Sequence, residues 1–196
     1  MFASVGSEDL RPVLKGQRIY LRPPVANDWR GWAELRAESR SFLEPWEPTW
    51  PADALSRLSF RRRVRLQQRG ANDDLAYAFL IFRRRDDAIV GGLTMSNVRR
   101  GVTQSASIGY WTGQKHARQG YMAAAVSMVV DWAFGELALH RLEAACLPEN
   151  CPSASLLRKC GFTEEGYARR YLRIGGAWRD HLLFAILETD PRPRFT

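Results

Sequence analysis

The stretch Ala106-Ser107-Ile108-Gly109-Tyr110-Trp111, followed by Lys115-His116-Ala117-Arg118-Gln119-Gly120-Tyr121-Met122 and running on to Asn150, decides how this chain is read. Ala106, Ile108 and Tyr110 alternate with Ser107, Gly109 and Trp111, the period of a strand with one buried face. Gly109 interrupts it, as a glycine does at a bulge or where a ligand runs close to the backbone. A polar, basic turn then hands the chain to a helix expected to start at Gly120. Met122, Ala125, Val126, Val129, Val130, Ala133 and Phe134 make one apolar helical face, and Gly135 is expected to close it.

The first N–H groups of such a helix have no intrahelical partner, and the positive end of its dipole points out of the fold. That arrangement suits a phosphate or pyrophosphate. Gly120 has no side chain to hold an anion away from the backbone. A stripe and one glycine leave an ordinary tight corner equally open.

Working outward, 196 residues suffice for one domain with a proper core, and 45% apolar with 26% charged residues fits a globular protein. No apolar run approaches a membrane span, and Met1 to Leu10 carry acids rather than a basic leader, so the cytoplasm is the expected location. Cys146, Cys151 and Cys160 form no C-x-x-C pair and have only His116, His140 and His181 beside them; reduced structural thiols are expected, with no metal site. A net charge of +8, carried almost wholly by arginine, favours phosphate-bearing partners such as a nucleotide cofactor or RNA. The runs Arg61-Arg62-Arg63 and Arg83-Arg84-Arg85 read as solvated faces or hairpin flanks.

Before the central stretch, Gln17 to Arg22 reads as a strand stopped by Pro23-Pro24, and Asn27 or Asp28 as the cap of a helix from Trp29 to about Ser39. Phe42 to Pro51 reads as a rigid loop bearing Trp46 and Trp50, which either lines a pocket or covers a core edge. Asp53 is expected to open a helix through Ala71, with Leu55, Leu58, Val64 and Leu66 on its apolar side. Leu75 to Phe82 and Ala88 to Met95 read as a hairpin turning at Arg83 to Asp87, with a bulge at Gly91-Gly92. Beyond the centre come a strand from Arg141 to Leu147, a helix opened by Asn150, Pro152 and Ser153 and stopped at Gly161, and a final hairpin turning at Gly175-Gly176. The order is that of an α/β (α+β) fold: a single mixed, mostly antiparallel sheet with helices on both sides, spanning 15–190, with tails 1–14 and 191–196. P-loop, Rossmann and nucleophile-elbow glycine patterns are all missing.

Ile108-Gly109-Tyr110-Trp111, the turn Ala117 to Met122, and Asn150-Cys151-Pro152-Ser153 followed by Leu157, Lys159, Gly161 and Phe162 together resemble the GNAT acetyltransferases. Pro45-Trp46-Glu47-Pro48, Glu165-Gly166-Tyr167-Ala168, Tyr171-Leu172 and Trp178-Arg179-Asp180-His181 look most like the ribosomal-protein-alanine N-acetyltransferase (RimJ-type) branch. The resemblance implies a GNAT fold and acetyl-CoA (coenzyme A) as cofactor. The turn Ala117-Arg118-Gln119-Gly120-Tyr121-Met122 would hold its pyrophosphate, although Ala117 stands where the family has Gln or Arg and Met122 where it has Gly or Ala. Ile108, Gly109, Tyr110 and Trp111 would run beside the pantetheine arm. Asn150 would hydrogen-bond the cofactor, cap the helix, or both.

The chemistry so implied is direct attack of a neutral amine on the acetyl thioester. Glu47 is the first candidate base and Glu143 the second, each weighed against a paired structural carboxylate. Ser153 is the candidate donor to the departing thiolate. Trp46, Trp50 and Tyr171 would wall the acceptor end. The expected partner is a protein or peptide N-terminus, that of a ribosomal protein above all, with no membrane and no direct nucleic-acid reading. A small-molecule amine acetyltransferase and a non-catalytic ribosome- or RNA-binding protein are the other readings.

Overall fold

A computed structural model describes residues 12–193 and Phe195; the acidic start of the chain lies outside them. One eight-stranded sheet runs in the order β1-β2-β3-β4-β5-β6-β8-β7. Its strands are β1 Leu14–Lys15, β2 Ile19–Arg22, β3 Tyr77–Arg83, β4 Ala88–Arg99, β5 Ser105–Thr112, β6 Arg141–Cys146, β7 Thr163–Ile174 and β8 Ala177–Leu187. Every neighbouring pair is antiparallel except β5 and β6. A parallel pair needs a crossover, and the helix that makes it is α4, Tyr121–Gly135. The mixed sheet expected from the sequence is therefore present.

Two cores follow from strand alternation. Phe79 and Ile81 of β3 join Leu21, Leu93 and Ile108 under α4 and the later helix α5, Cys151–Lys159. Leu80 and Phe82 face the other way, with Trp32 of α1 (Trp29–Glu38) and Phe60 and Val64 of α3 (Arg57–Asn72). Rather than showing a single stripe, α4 is buried from Tyr121 through Val126 without a break. It lies between the sheet, α5 and the C-terminal segment, where Ser127 and Asp131 meet Pro193 and Arg192.

Several local expectations are corrected. The Asp28 carboxylate does not cap α1; it accepts from the Val25 N–H at 2.7 Å and grips Arg22 through both oxygens. Part of the Phe42–Pro51 loop is helical, as the short α2 (Arg40–Leu43) and a 3₁₀ turn over Glu44–Trp46. The cap of α3 is Ser56, whose hydroxyl accepts from the Ser59 N–H, while Asp53 accepts from the Ser59 hydroxyl. Leu58 and Leu66, expected on its apolar side, are 63% and 59% exposed, because Phe60 and Val64 face the sheet. Gly135 is the last residue of α4 and not a left-handed stop; the positive φ comes at Ala138, at 51°. In β4 the register slips at Val90, next to the predicted pair of glycines.

Gly91 and Gly92 answer instead to close approach. Opposite them on β5, a Cβ on Gly91 would overlap the Trp111 carbonyl oxygen and lie 3.2 Å from the Thr112 Cα, and one on Gly92 would lie 2.5 Å from Trp111 Nε1. Because backbone cannot move aside as a flexible side chain can, Gly91→Ala should destabilise the fold by about 1–3 kcal/mol, the range of overpacked cores. Urea denaturation checks this; an unchanged midpoint would show that β4 and β5 can part without cost.

Candidate active site

The β5–β6 ladder pairs Ser105 with Arg141 through Ile108 with Ala144 and then ends. Beyond it, β5 keeps β4 on its other side as far as Thr112, and β6 turns to β8 alone through Cys146. The strands part at Gly109, so the Gly109–Trp111 backbone faces open space on the β6 side. Buried backbone groups are almost always paired, so a free edge here is a place for a ligand with amides of its own.

That edge leads to the turn. Gly120 takes φ 82° and no side chain caps the helix; the Ala124 N–H is the first to bond within α4, to the Gly120 carbonyl. A Cβ placed on Gly120 would meet nothing nearer than Arg18 Nη1 at 3.7 Å, so the surface above the helix start is open. Arg18 reaches over from β2's side, donating to the Gln119 carbonyl at 3.2 Å and covering the Tyr121 ring at 4.9 Å. Arg118, at φ 59°, is exposed beside it. The turn is pinned from α1: the Gln114 N–H donates to Ser39 Oγ, and Lys115 pairs with Glu38. Burial, with Arg83 and Lys115 nearby, lowers the His116 pKa below its ordinary value, so the ring adds no charge at neutral pH. Uncapped N–H groups, a left-handed glycine and two arginines fit a pyrophosphate.

Across the fork stands the start of α5. Asn150 Oδ1 accepts from the Ser153 N–H at 3.2 Å, which gives the capping role. Ser153 Oγ lies 2.9 Å from the Tyr110 hydroxyl. Burial raises the Tyr110 pKa well above the usual phenol range, so the phenol stays protonated. Tyr110 and Ser153 thus form a hydroxyl pair beside the free edge.

Trp111 points to the opposite face, where a second cluster forms. The Arg36 guanidinium lies 4.3 Å from the Trp50 ring centre and 4.8 Å from that of Trp111. Its fork holds Glu47 at 2.9 and 2.5 Å, and Trp50 Nε1 donates to the same carboxylate at 2.7 Å. Both Glu47 oxygens are therefore accepting already. Glu143 is likewise held, by Arg141, which also binds Glu165. The Gly175 N–H donates to the Glu47 carbonyl, tying the tip of the β7–β8 hairpin to the aromatic loop. Trp46 is half-buried in the 3₁₀ turn and Tyr171 is exposed on β7.

Arg18, Arg36 and the pair Asp180-His181 were not singled out from the sequence for roles of their own. Asp180 accepts from the Tyr167 hydroxyl and the Arg170 N–H, and so fixes a bulge in which three residues of β7 oppose one of β8. His181 is 2% exposed, with Nδ1 3.0 Å from the Arg179 carbonyl and its ring edge-on to Tyr171. A carbonyl can only accept, so Nδ1 carries a proton, and in that tautomer Nε2 is the free ring nitrogen. In the sequence, the Trp178-Arg179-Asp180-His181 motif is the signal for this.

If the turn holds an anion, Gly120→Glu should abolish acetyl-CoA binding while the protein still folds, with a cost of about 1–2 kcal/mol for a side chain at positive φ. Calorimetry checks it, and unchanged affinity in a folded variant would remove the turn from the site.

The match to known proteins agrees with this geometry. Residues 18–163 match the family model described as an acetyltransferase (GNAT) domain. A probable N-acetyltransferase, YjcK of Bacillus subtilis, is 39% identical over 178 residues, 91% of this chain and 98% of that protein. The [ribosomal protein uS5]-alanine N-acetyltransferase of Escherichia coli is 34% identical over 182 residues, 92% of this chain and 93% of its own. Among solved structures, Mycobacterium smegmatis RimJ in complex with CoA-disulfide superposes with a TM-score of 0.82 at 38% identity, covering 90% of this chain and 85% of that one. Uncapped α4, the parted β5 and β6 and these relatives lead to one conclusion: this chain belongs to the GNAT acetyltransferase family.

Proposed function

We propose that the protein moves the acetyl group of acetyl-CoA to the α-amine of a protein N-terminus, a ribosomal protein beginning with alanine being the acceptor its relatives point to. The observation that carries the cofactor half is the continuous path from the free Gly109–Trp111 edge to the uncapped start of α4. Acetyl-CoA supplies the thioester; the chain supplies position and protons. Backbone groups of Gly109–Trp111 hold the arm in line, while Arg18, Arg118 and the N–H groups after Gly120 hold the pyrophosphate. As the amine nitrogen bonds to the carbonyl carbon and the C–S bond breaks, the Tyr110–Ser153 pair gives a proton to sulfur. Ser153→Ala should lower kcat about ten- to hundredfold with a smaller rise in the acetyl-CoA KM, because a donor acts in the transition state. A pure KM effect would reassign Ser153 to binding.

On the acceptor side, Glu47 serves by holding the aromatic loop, its carboxylate being bound by Arg36 and Trp50. His181, whose ring stands edge-on to Tyr171, is the group we assign to take the proton from the amine, through a water because the ring itself is 2% exposed. His181→Asn should then reduce kcat while leaving calorimetric acetyl-CoA affinity alone; undiminished turnover would take His181 out of the reaction.

An N-terminal amine suits so modest a site. With reference pKa values near 8 and 10.4, about a tenth of α-amines but fewer than about one lysine in a thousand are neutral at pH 7. Trp46, Trp50 and Tyr171 would wall the acceptor end and favour a small first residue. Mass spectrometry on peptides starting with Ala, Ser or Leu, and on a blocked peptide with an internal lysine, checks both points. Faster transfer to the blocked lysine peptide, or to a polyamine, would overturn the N-terminal assignment, and equal rates for Ala and Leu would remove the aromatic wall.

A further inference from the structure

Helix α3 carries six arginines, Arg57, Arg61, Arg62, Arg63, Arg65 and Arg69, and no acid. Among the described residues none of the six forms an ion pair, whereas arginines elsewhere are paired repeatedly, as in Arg22–Asp28, Arg100–Asp74, Arg158–Glu164 and Arg192–Asp131. Arg63 folds back over the Trp32 ring at 5.4 Å; Arg61, Arg62, Arg65 and Arg69 stand in solvent. Arg57, which lies 6.0 Å from the Trp29 ring centre, and Arg61, Arg65 and Arg69 are spaced four apart, a backbone rise of about 6 Å per step along roughly 18 Å of helix. Like charges at this spacing repel and weaken the helix they sit on. Next to this ladder runs an open groove of about 380 Å³ lined by Ala26, Leu58, Arg61, Val64, Arg65 and Gln68, with an apolar floor and arginine walls.

We propose that the exposed face of α3 is a docking surface for single-stranded RNA, gripped through its phosphates without base reading. A phosphodiester chain presents one anion per residue along a line, and planar guanidinium forks suit phosphate oxygens. The apolar groove beside the ladder takes the face of a ribose or base. A membrane fits less well, because the apolar face of α3, Phe60 and Val64, is already buried against the sheet. The surface lies on the α1 side of the sheet, away from α4, so RNA would leave the pyrophosphate turn clear. It also follows directly on the Trp46–Trp50 loop, so an RNA-bound protein could offer its N-terminus there; only this consequence rests on the acetylation reading.

The test is fluorescence anisotropy with a labelled oligouridylate over a range of salt. Four phosphate contacts predict a log–log salt slope near −3, at about 0.7 per contact. The double variant Arg61→Glu/Arg65→Glu should weaken binding tenfold or more and flatten the slope by about 1.4, and the milder Arg61→Gln/Arg65→Gln should move both in the same direction. Acetyl transfer to a free peptide should be unaffected in both, which also reports folding. Arg99→Glu/Arg169→Glu, with the same change in net charge on exposed residues elsewhere, should keep RNA affinity within about twofold. Unchanged binding in the α3 variants, or an equal loss in the control, would overturn the proposal. So would tighter binding of polyglutamate or of phosphatidylserine vesicles than of RNA.

Discussion

A strand that loses its neighbour halfway along leaves backbone N–H and C=O groups with no partner, and this is the constraint around which the molecule is arranged. The β5–β6 ladder ends at Ile108 and Ala144, and the connection between these two strands is the buried crossover helix α4. The same crossover points the start of α4 out of the fold. The fold thus brings an extended backbone edge together with a set of free N–H groups, and the Tyr110–Ser153 pair and Arg18 are placed by elements packed around them.

The opposite face depends on Arg36. It sits among Trp32, Trp50 and Trp111 with Glu47 in its fork, so its charge is balanced by one carboxylate and three aromatic faces. Trp111 lends its backbone to the free edge of β5 and its ring to this cluster. The aromatic loop, the hairpin tip at Gly175 and the free strand edge are consequently joined through one buried cation, and displacement of any of them is felt by the others.

What the sequence made legible was whatever leaves a period or a backbone signature. The β5–turn–α4 unit, the Asn150 cap and the Gly175-Gly176 turn, with φ 56° and 84°, stand where expected. Asp53 and Asp28 failed as caps since carboxylates that could cap found better partners in Ser59 and Arg22, a competition that spacing does not reveal. Leu58 and Leu66 misled because leucine on an arginine-rich helix looks like core until Phe60 and Val64 fix which side faces the sheet. The role of Arg36 and the burial of His181 arise from chains brought together across the fold, and no local pattern announces them. Glu47 was weighed as a base against a paired structural carboxylate, and the partner that decides for the pairing, Arg36, lies eleven residues away on α1, a distance at which no local pattern shows it.

The bulge in β7 sets a rule for how this hairpin can change length. Ala168 pairs with His181 and Leu172 with Arg179, so four steps on one strand match two on the other, and both are even. Side-chain parity is therefore conserved across the irregularity, which keeps Ile174 buried at the tip. Loss of two residues between Ala168 and Leu172 would make the ladder regular from Gly166 to Ile174 with every face there preserved. Loss of one would turn Ile174 to solvent and reverse the tip that meets Glu47. Between Ala168 and the tip, length variation among descendants of the sequence should therefore come in pairs of residues, counted in twos by the pleat of the strand.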